Sequence, residues 1–200
     1  MQVLPQRQIY LVRHGETAWS LTGQHTGLTD LPLTAHGEEQ ARRLKERMGM
    51  VNFAHVFSSP LQRARRTAEL AGFGSSLALD SDLVEWNYGE YEGRTSTQIR
   101  ISRPGWELFR DGCPGGESVL QITQRVDRVA AHLRALMGRV LIFSSGHVLR
   151  VLATRWIEAP LAAARGLAVD PAGISVLGYE HGEADRVIRS WNGSAAEDHS

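Results

Sequence analysis

Apolar residues fall into two kinds of pattern along this chain. Residues 9–12, 56–57 and 140–143 form short continuous runs, as strands buried on both faces do. The first run stops abruptly at Arg13-His14-Gly15 and the last at Ser144-Ser145-Gly146-His147. Between the runs, apolar positions recur every three or four residues, the period of an amphipathic helix. Ala41, Leu44 and Met48 mark one such helix, with Thr34 as its cap and Gly49 at its end. Ser59 and Pro60 supply an N-cap and a first-turn proline for another, running to about Ala71 with Gly72 as its stop. Val119, Ile122, Val126, Val129, Leu133 and Leu136 form the stripe of a long helix, and Ser118 and Gln121 before it have capping-box spacing. A shorter helix over 148–157 follows the last apolar run. Residues 175–179 and 187–190 then read as a closing pair of strands around His181-Gly182.

Strands alternating with helices predict an α/β fold. The expected form is a three-layer α/β/α sandwich with a mostly parallel central sheet and one antiparallel edge strand. There is no internal repeat or linker, so residues 1–192 read as a single domain and 193–200 as a flexible polar tail. Area scaling for 200 residues gives roughly 9,000 Å² folded against roughly 32,000 Å² unfolded, enough for a core without disulfide or metal staples.

Charge narrows the partners. Lys and Arg total 22 and Asp and Glu total 22, a net charge of zero that argues against nucleic acid as a partner. The lone cysteine, Cys113, makes no internal bridge and fits a reducing, cytoplasmic setting. No apolar run reaches the ~18 residues of a membrane span, and residues 1–8 hold no signal-peptide core. The five tryptophans suit a pocket, a core or a contact between two copies, so a homodimer stays open.

The unusual residues fall at strand ends. Arg13-His14 follows one strand, Arg63 lies in the first turn after another, and Gly146-His147 follows a third. In open α/β sheets the ligand crevice lies beyond the carboxyl ends of the strands. Two histidines and two arginines beside helix N-termini make an anion site, and the planar guanidinium suits phosphate.

These residues carry a family resemblance. Residues 11–17, with Arg13-His14-Gly15, resemble the signature of the histidine phosphatase superfamily, which also contains the cofactor-dependent phosphoglycerate mutases. Residues 58–64 resemble that family's second arginine motif, 83–93 its acidic loop, and Ser145-Gly146-His147 its second histidine motif. The four motifs occur in the family's order and the match spans about 9–179.

The resemblance implies a phosphatase in which His14 attacks phosphorus and becomes a phosphohistidine. Arg13 and Arg63 disfavour imidazolium and keep the ring in its attacking form. Arg13, Arg63 and His147 would hold the equatorial oxygens in the transition state. Glu85 matches the family's acid, protonating the leaving alkoxide and then activating water. Glu90 and Glu92 lie in the same loop, and composition alone does not choose among the three. No metal or other cofactor is implied.

Other readings are weaker. Ser144 and Ser145 lack the Gly-x-Ser-x-Gly elbow of serine hydrolases. The remaining histidines show no metal-ligand spacing. Arg65 and Arg66 read as solvated helix charges, and Cys113 as an unreactive thiol.

Within the resemblance, Thr17-Ala18-Trp19-Ser20 lacks the asparagine that mutases usually carry after the tryptophan, and the chain is shorter than typical mutases. Phosphatase activity is therefore expected over mutase activity, with a regulatory binding module as the reading from another class. Residues 23–34 and 106–118 are similar to a branch containing sedoheptulose-bisphosphatases and broad acid phosphatases. That similarity suggests a small phosphorylated metabolite such as a sugar phosphate or bisphosphate. Gln24, His25, Thr26, Gly27, Ser59, Tyr88 and Arg150 are the candidate substrate contacts. Arg150 and His25 are the candidates for a second phosphate, and Tyr88 for a sugar hydroxyl.

Overall fold

A computed structural model describes residues 7–48 and 50–193. The chain forms β1 (Ile9–Arg13), α1 (Ala18–Thr22), α2 (Ala35–Met48), β2 (His55–Ser58), α3 (Gln62–Leu70), β3 (Leu77–Leu79), α4 (Ser96–Ser102) and α5 (Leu108–Asp111). It continues through α6 (Val119–Ala135), β4 (Val140–Ser144), α7 (Gly146–Trp156), β5 (Ile174–Tyr179) and β6 (Arg186–Gly193). The strands build one six-stranded sheet in the order β3-β2-β4-β1-β5-β6. β3, β2, β4 and β1 run parallel, whereas β5 is antiparallel to β1 and β6 antiparallel to β5. The predicted α/β class holds, with two strands at the antiparallel edge.

Successive side chains of a strand point to opposite faces. Ile9, Leu11, Val140 and Ile142 therefore join the core under α6 and α7, while Val12, Leu141 and Phe143 pack on the other face against Leu44 and Met48 of α2 and Ala68 of α3. Both faces are covered, which gives the three layers expected from the continuous apolar runs. Each such aliphatic or aromatic side chain contributes about 1.5–3 kcal/mol by burial. Three of the tryptophans, Trp86, Trp106 and Trp156, belong to the core. Among the described residues, no helix is long and apolar enough to cross a membrane.

Two boundaries differ from expectation. α3 begins two residues beyond Pro60, with Leu61 at the N-cap and no side-chain cap of its own. Ser59 is not the cap; the Gln62 N–H instead donates to Asp30 Oδ1 at 2.8 Å, a carboxylate from a distant loop. At the other end, β6 runs through Gly193, the first residue assigned to the expected tail. Gly193 pairs with Ile174, and the Asn192 amide exchanges hydrogen bonds with Asp170. Gly49 and residues 194–200 lie outside the described residues.

Candidate active site

The parallel strands all end on one side, and their loops diverge there. The His14 N–H donates to Ser144 O at 2.9 Å and the Ser59 N–H to Phe143 O at 3.0 Å, so the ends of β1, β4 and β2 are stitched together just where the motifs begin. The Arg13-His14-Gly15 loop then interlocks with the start of α2. A Cβ on Gly15 would stand 2.3 Å from Gly37 O, and one on Gly37 would stand 2.1 Å from Glu16 O. Only glycine permits that approach.

A cavity of about 320 Å³ opens beyond these strand ends. Arg13, His14, Glu85 and His147 line it, together with Gln24, His25, Thr26, Tyr88 and Arg150. Ser20, Gly23, Ser96, Gly146 and Val169 complete its wall; Ser20, Gly23 and Gly146 lie in the quoted motifs, and Ser96 and Val169 lie outside them. Arg63, Ser59 and Gly27 stand behind this surface. Ser59 Oγ accepts from the Leu61 N–H at 3.3 Å, and Gly27 offers its carbonyl to Arg63.

The two histidines are held in complementary tautomers. His14 is 4% exposed, and its Nδ1 lies 2.8 Å from Gly15 O, an acceptor that requires the proton on Nδ1. The Nε2 lone pair is thus the nucleophilic one. Burial holds His14 well below the ordinary imidazole range, reinforced by the charges of Arg63 and Arg13. Desolvation, more than the neighbouring arginines, therefore keeps the ring neutral. Behind it, Gln40 Oε1 accepts from the Glu16 N–H at 2.9 Å and fixes the same peptide plane whose carbonyl receives Nδ1.

His147 Nδ1 lies 2.5 Å from the Tyr88 hydroxyl. Burial, foremost, lowers the His147 pKa well below its usual value and raises that of Tyr88 well above its own. A neutral phenol is the donor in such a pair, so Nδ1 accepts and Nε2 carries the proton as a donor. The Tyr88 hydroxyl is thus committed as a donor to His147 on the cavity wall.

The arginines supply the positive field. Arg63 is fully buried; it donates through Nη1 to Thr29 O at 2.9 Å and through Nη2 to Gly27 O at 2.8 Å and Thr26 O at 3.2 Å. Arg13 donates to Val169 O at 2.6 Å. The Nε atoms of both are buried without a hydrogen-bond partner. Unpaired buried donors of this kind cost about 1–3 kcal/mol each, and more on a charged group.

Glu85 caps α7 from outside the helix. Its Oε2 accepts from the His147 N–H at 2.9 Å and its Oε1 from the Val148 N–H at 2.8 Å and the Trp86 N–H at 2.9 Å. Ser145, at the N-cap position, makes no capping bond itself. A carboxylate has about four acceptor positions, so one on Oε2 is left for a proton. Geometry also separates the three acids of this loop. Glu92 Oε1 accepts from the Gly27 and Thr29 N–H groups at 2.8 and 3.1 Å, while Glu90 is exposed.

The outer wall is more self-satisfied. Gln24 donates to Gly93 O at 2.7 Å, and Thr26 Oγ1 to Gln24 O at 3.3 Å. Arg150 donates to Ala164 O and Arg165 O, each at 2.8 Å, and lies over the Phe109 ring at 4.8 Å. Burial, with the Arg100 charge, lowers the His25 pKa to about 4. Burial pushes the Cys113 thiol up to about 12, which leaves it unreactive. Among the described residues, no group of three or more His, Cys, Asp and Glu is gathered to hold a metal.

Sequence motifs missed Gln40 and Thr67. Thr67 Oγ1 accepts from the Gly15 N–H at 3.0 Å and donates to Arg63 O at 2.7 Å, tying the two arginine motifs together. A polar residue among the small buried positions Ala64 and Ala68 of α3 is the signal that marks it.

A neutral imidazole, a buried guanidinium pair and a carboxyl at a helix N-terminus define a phosphoryl-transfer centre. Residues 9–193 match the histidine phosphatase superfamily (branch 1), and the chain belongs to that family as one of its phosphomonoesterases. It is 43% identical over 179 residues to an acid phosphatase of Mycobacterium tuberculosis, covering 88% of each chain. It is 38% identical over 179 residues to sedoheptulose 1,7-bisphosphatase of Saccharomyces cerevisiae, covering 73% of this chain and 66% of the yeast protein. A solved structure of an open reading frame product of Mycobacterium tuberculosis superimposes with a TM-score of 0.89 at 40% identity, over 94% of this chain and 98% of that one.

Proposed function

We propose that the protein hydrolyses monoesters of small phosphorylated metabolites through a phosphohistidine on His14, with Glu85 moving the proton. The observation that carries this reading is the pair of opposed tautomers: His14 Nδ1 is tied to Gly15 O and His147 Nδ1 to Tyr88. One ring then presents a lone pair and the other a donor to the same cavity.

In the first step His14 Nε2 forms a bond to phosphorus as the ester P–O bond breaks. The departing alkoxide takes a proton from Glu85. Arg13, Arg63 and His147 Nε2–H receive the charge on the equatorial oxygens. In the second step water forms the new P–O bond, Glu85 takes its proton, and the P–N bond breaks to free His14 and phosphate.

Substrate size follows from the cavity. About 320 Å³ lies at the lower end of ordinary small-molecule sites and suits a sugar phosphate rather than a folded phosphoprotein. The hydroxyls of Ser20, Thr26 and Ser96 and the amide of Gln24 on its wall fit a polyol. The likeness to the yeast sedoheptulose bisphosphatase supports a sugar bisphosphate, with Arg150 and His25 on the cavity wall where a second phosphate would lie.

A panel of phosphorylated metabolites tests the reading. It comprises sugar mono- and bisphosphates, and 3-phosphoglycerate with and without 2,3-bisphosphoglycerate. Stoichiometric phosphate release from sugar phosphates is expected. Rapid isomerisation of 3-phosphoglycerate with little phosphate released would replace hydrolysis by mutase chemistry.

A further inference from the structure

Glu85 stands in a stretch without regular structure, residues 85–88, between the single turns Ser81–Leu83 and Gly89–Tyr91. Backbone carbonyls in such a stretch need partners from elsewhere. One side chain reaches three of them across residues 82–85. Arg125 donates through Nη1 to Asp82 O at 2.6 Å and Val84 O at 2.8 Å, and through Nη2 to Glu85 O at 3.4 Å. Its other donors, Nε and Nη2, go to the Glu117 carboxylate at 2.8 and 2.7 Å. Glu117 holds the far end of the same stretch. Its N–H donates to Asn87 O at 2.8 Å, its carbonyl accepts from Trp86 Nε1 at 2.8 Å, and its Oε2 accepts from the Asn87 N–H at 3.4 Å.

Arg125 is 8% exposed and sits on the buried stripe of α6, three residues after Ile122 and directly before Val126. A charge placed there is expensive unless it is fully paired, and every polar contact it makes is to Glu117 or to the segment that carries Glu85. We propose that Arg125 is a positioning residue for proton transfer: it fixes the Glu85 backbone, and through it the place of the Glu85 carboxyl between α7 and the cavity. The inference rests on the proton-transfer role given to Glu85 above. Only the guanidinium fork reaches three carbonyls and a carboxylate at once; a lysine ammonium cannot span them.

Two kinds of ester separate positioning from general support of the fold. An alkyl phosphate needs its leaving oxygen protonated as the P–O bond breaks, whereas dinitrophenyl phosphate releases a stable anion and does not. The protein is prepared as Arg125→Lys and Arg125→Ala, with Glu85→Gln as reference. The burst of dinitrophenolate, which reports the first step alone, is compared with turnover of the alkyl ester.

Misplacement of Glu85 predicts that Arg125→Lys lowers kcat on the alkyl phosphate by about 10–100-fold with KM little changed, while the burst rate changes by less than about threefold. Added guanidinium ion should restore part of the alkyl-ester activity of Arg125→Ala. Equal losses on both esters without rescue, or no loss on either, would overturn the proposal. Glu85→Gln keeps the two levels apart. If it too fails to discriminate between the esters, the Glu85 assignment falls. If it discriminates and the Arg125 variants do not, only the positioning role falls.

Discussion

Two buried guanidiniums, Arg63 and Arg125, brace two loops of this molecule in nearly the same way, and the roles proposed for them are opposite. Arg63 donates to the carbonyls of Thr26, Gly27 and Thr29, and Arg125 to those of Asp82, Val84 and Glu85. Arg125 is neutralised at 2.7 Å by Glu117 and leaves no such demand on a ligand. Among the described residues no carboxylate forms an ion pair with Arg63, and its buried Nε has no partner. Arg13 shares that condition. A buried cation completed by a carboxylate suits the scaffold, whereas Arg63, held by carbonyls and the Ser145 hydroxyl with no carboxylate, suits the anion-binding role proposed for it. Burial per residue would not separate them, since both are below a tenth exposed.

The comparison breaks most visibly at Arg63. Arg63→Met should lower kcat/KM by about 10²–10³, the loss typical of one oxyanion donor. It should also remove the rise in Tm that orthophosphate gives the parent protein by binding the folded state. Arg125→Met should keep that phosphate-induced rise even where its own Tm is lower, because the charge it removes faces Glu117. A thermal scan with and without phosphate reads both. Loss of the phosphate effect in Arg125→Met, or its retention in Arg63→Met, would reverse the two assignments.

A smaller effect sharpens the same contrast between satisfied and unsatisfied groups. His25 is buried in the neutral form, with its pKa lowered from 6.5 to about 4. The unfolded chain therefore binds more protons than the folded one between about pH 4 and pH 6.5. This contribution to stability is full above that window and is lost as pH falls through it, on the order of 3 kcal/mol in all. Denaturant midpoints measured from pH 7 to pH 4 should fall less steeply in His25→Gln than in the parent. Parallel curves would place His25 outside this account.

The sequence was legible where one signal sufficed. β1 and β4 are apolar on both faces because both faces are covered, and α6 announces itself by its stripe and its Ser118–Gln121 capping box. The motif residues at strand ends do meet, because parallel strands all terminate on one side. β3 was missed because it is three residues at an edge, two of them exposed. The start of α3 was misplaced because its capping acceptor, Asp30, lies in another loop. The partnership of Tyr88 with His147 left no local signal, because the two lie 59 residues apart and meet at 2.5 Å only in the fold. Arg125 left a trace that local reading passes over, a charge in register with the apolar positions Ile122, Val126 and Val129. Contacts between distant loops decide the chemistry here, and one sequence does not print them.

The central claim is that His14 Nε2 carries the phosphoryl group between the two steps. Brief reaction with a substrate labelled in its phosphate, followed by denaturing quench, tests it directly. The expected product is a phosphoenzyme that is lost in acid, survives base, maps to His14 and is absent from His14→Ala. A label stable to acid, or one that persists in His14→Ala, would contradict it.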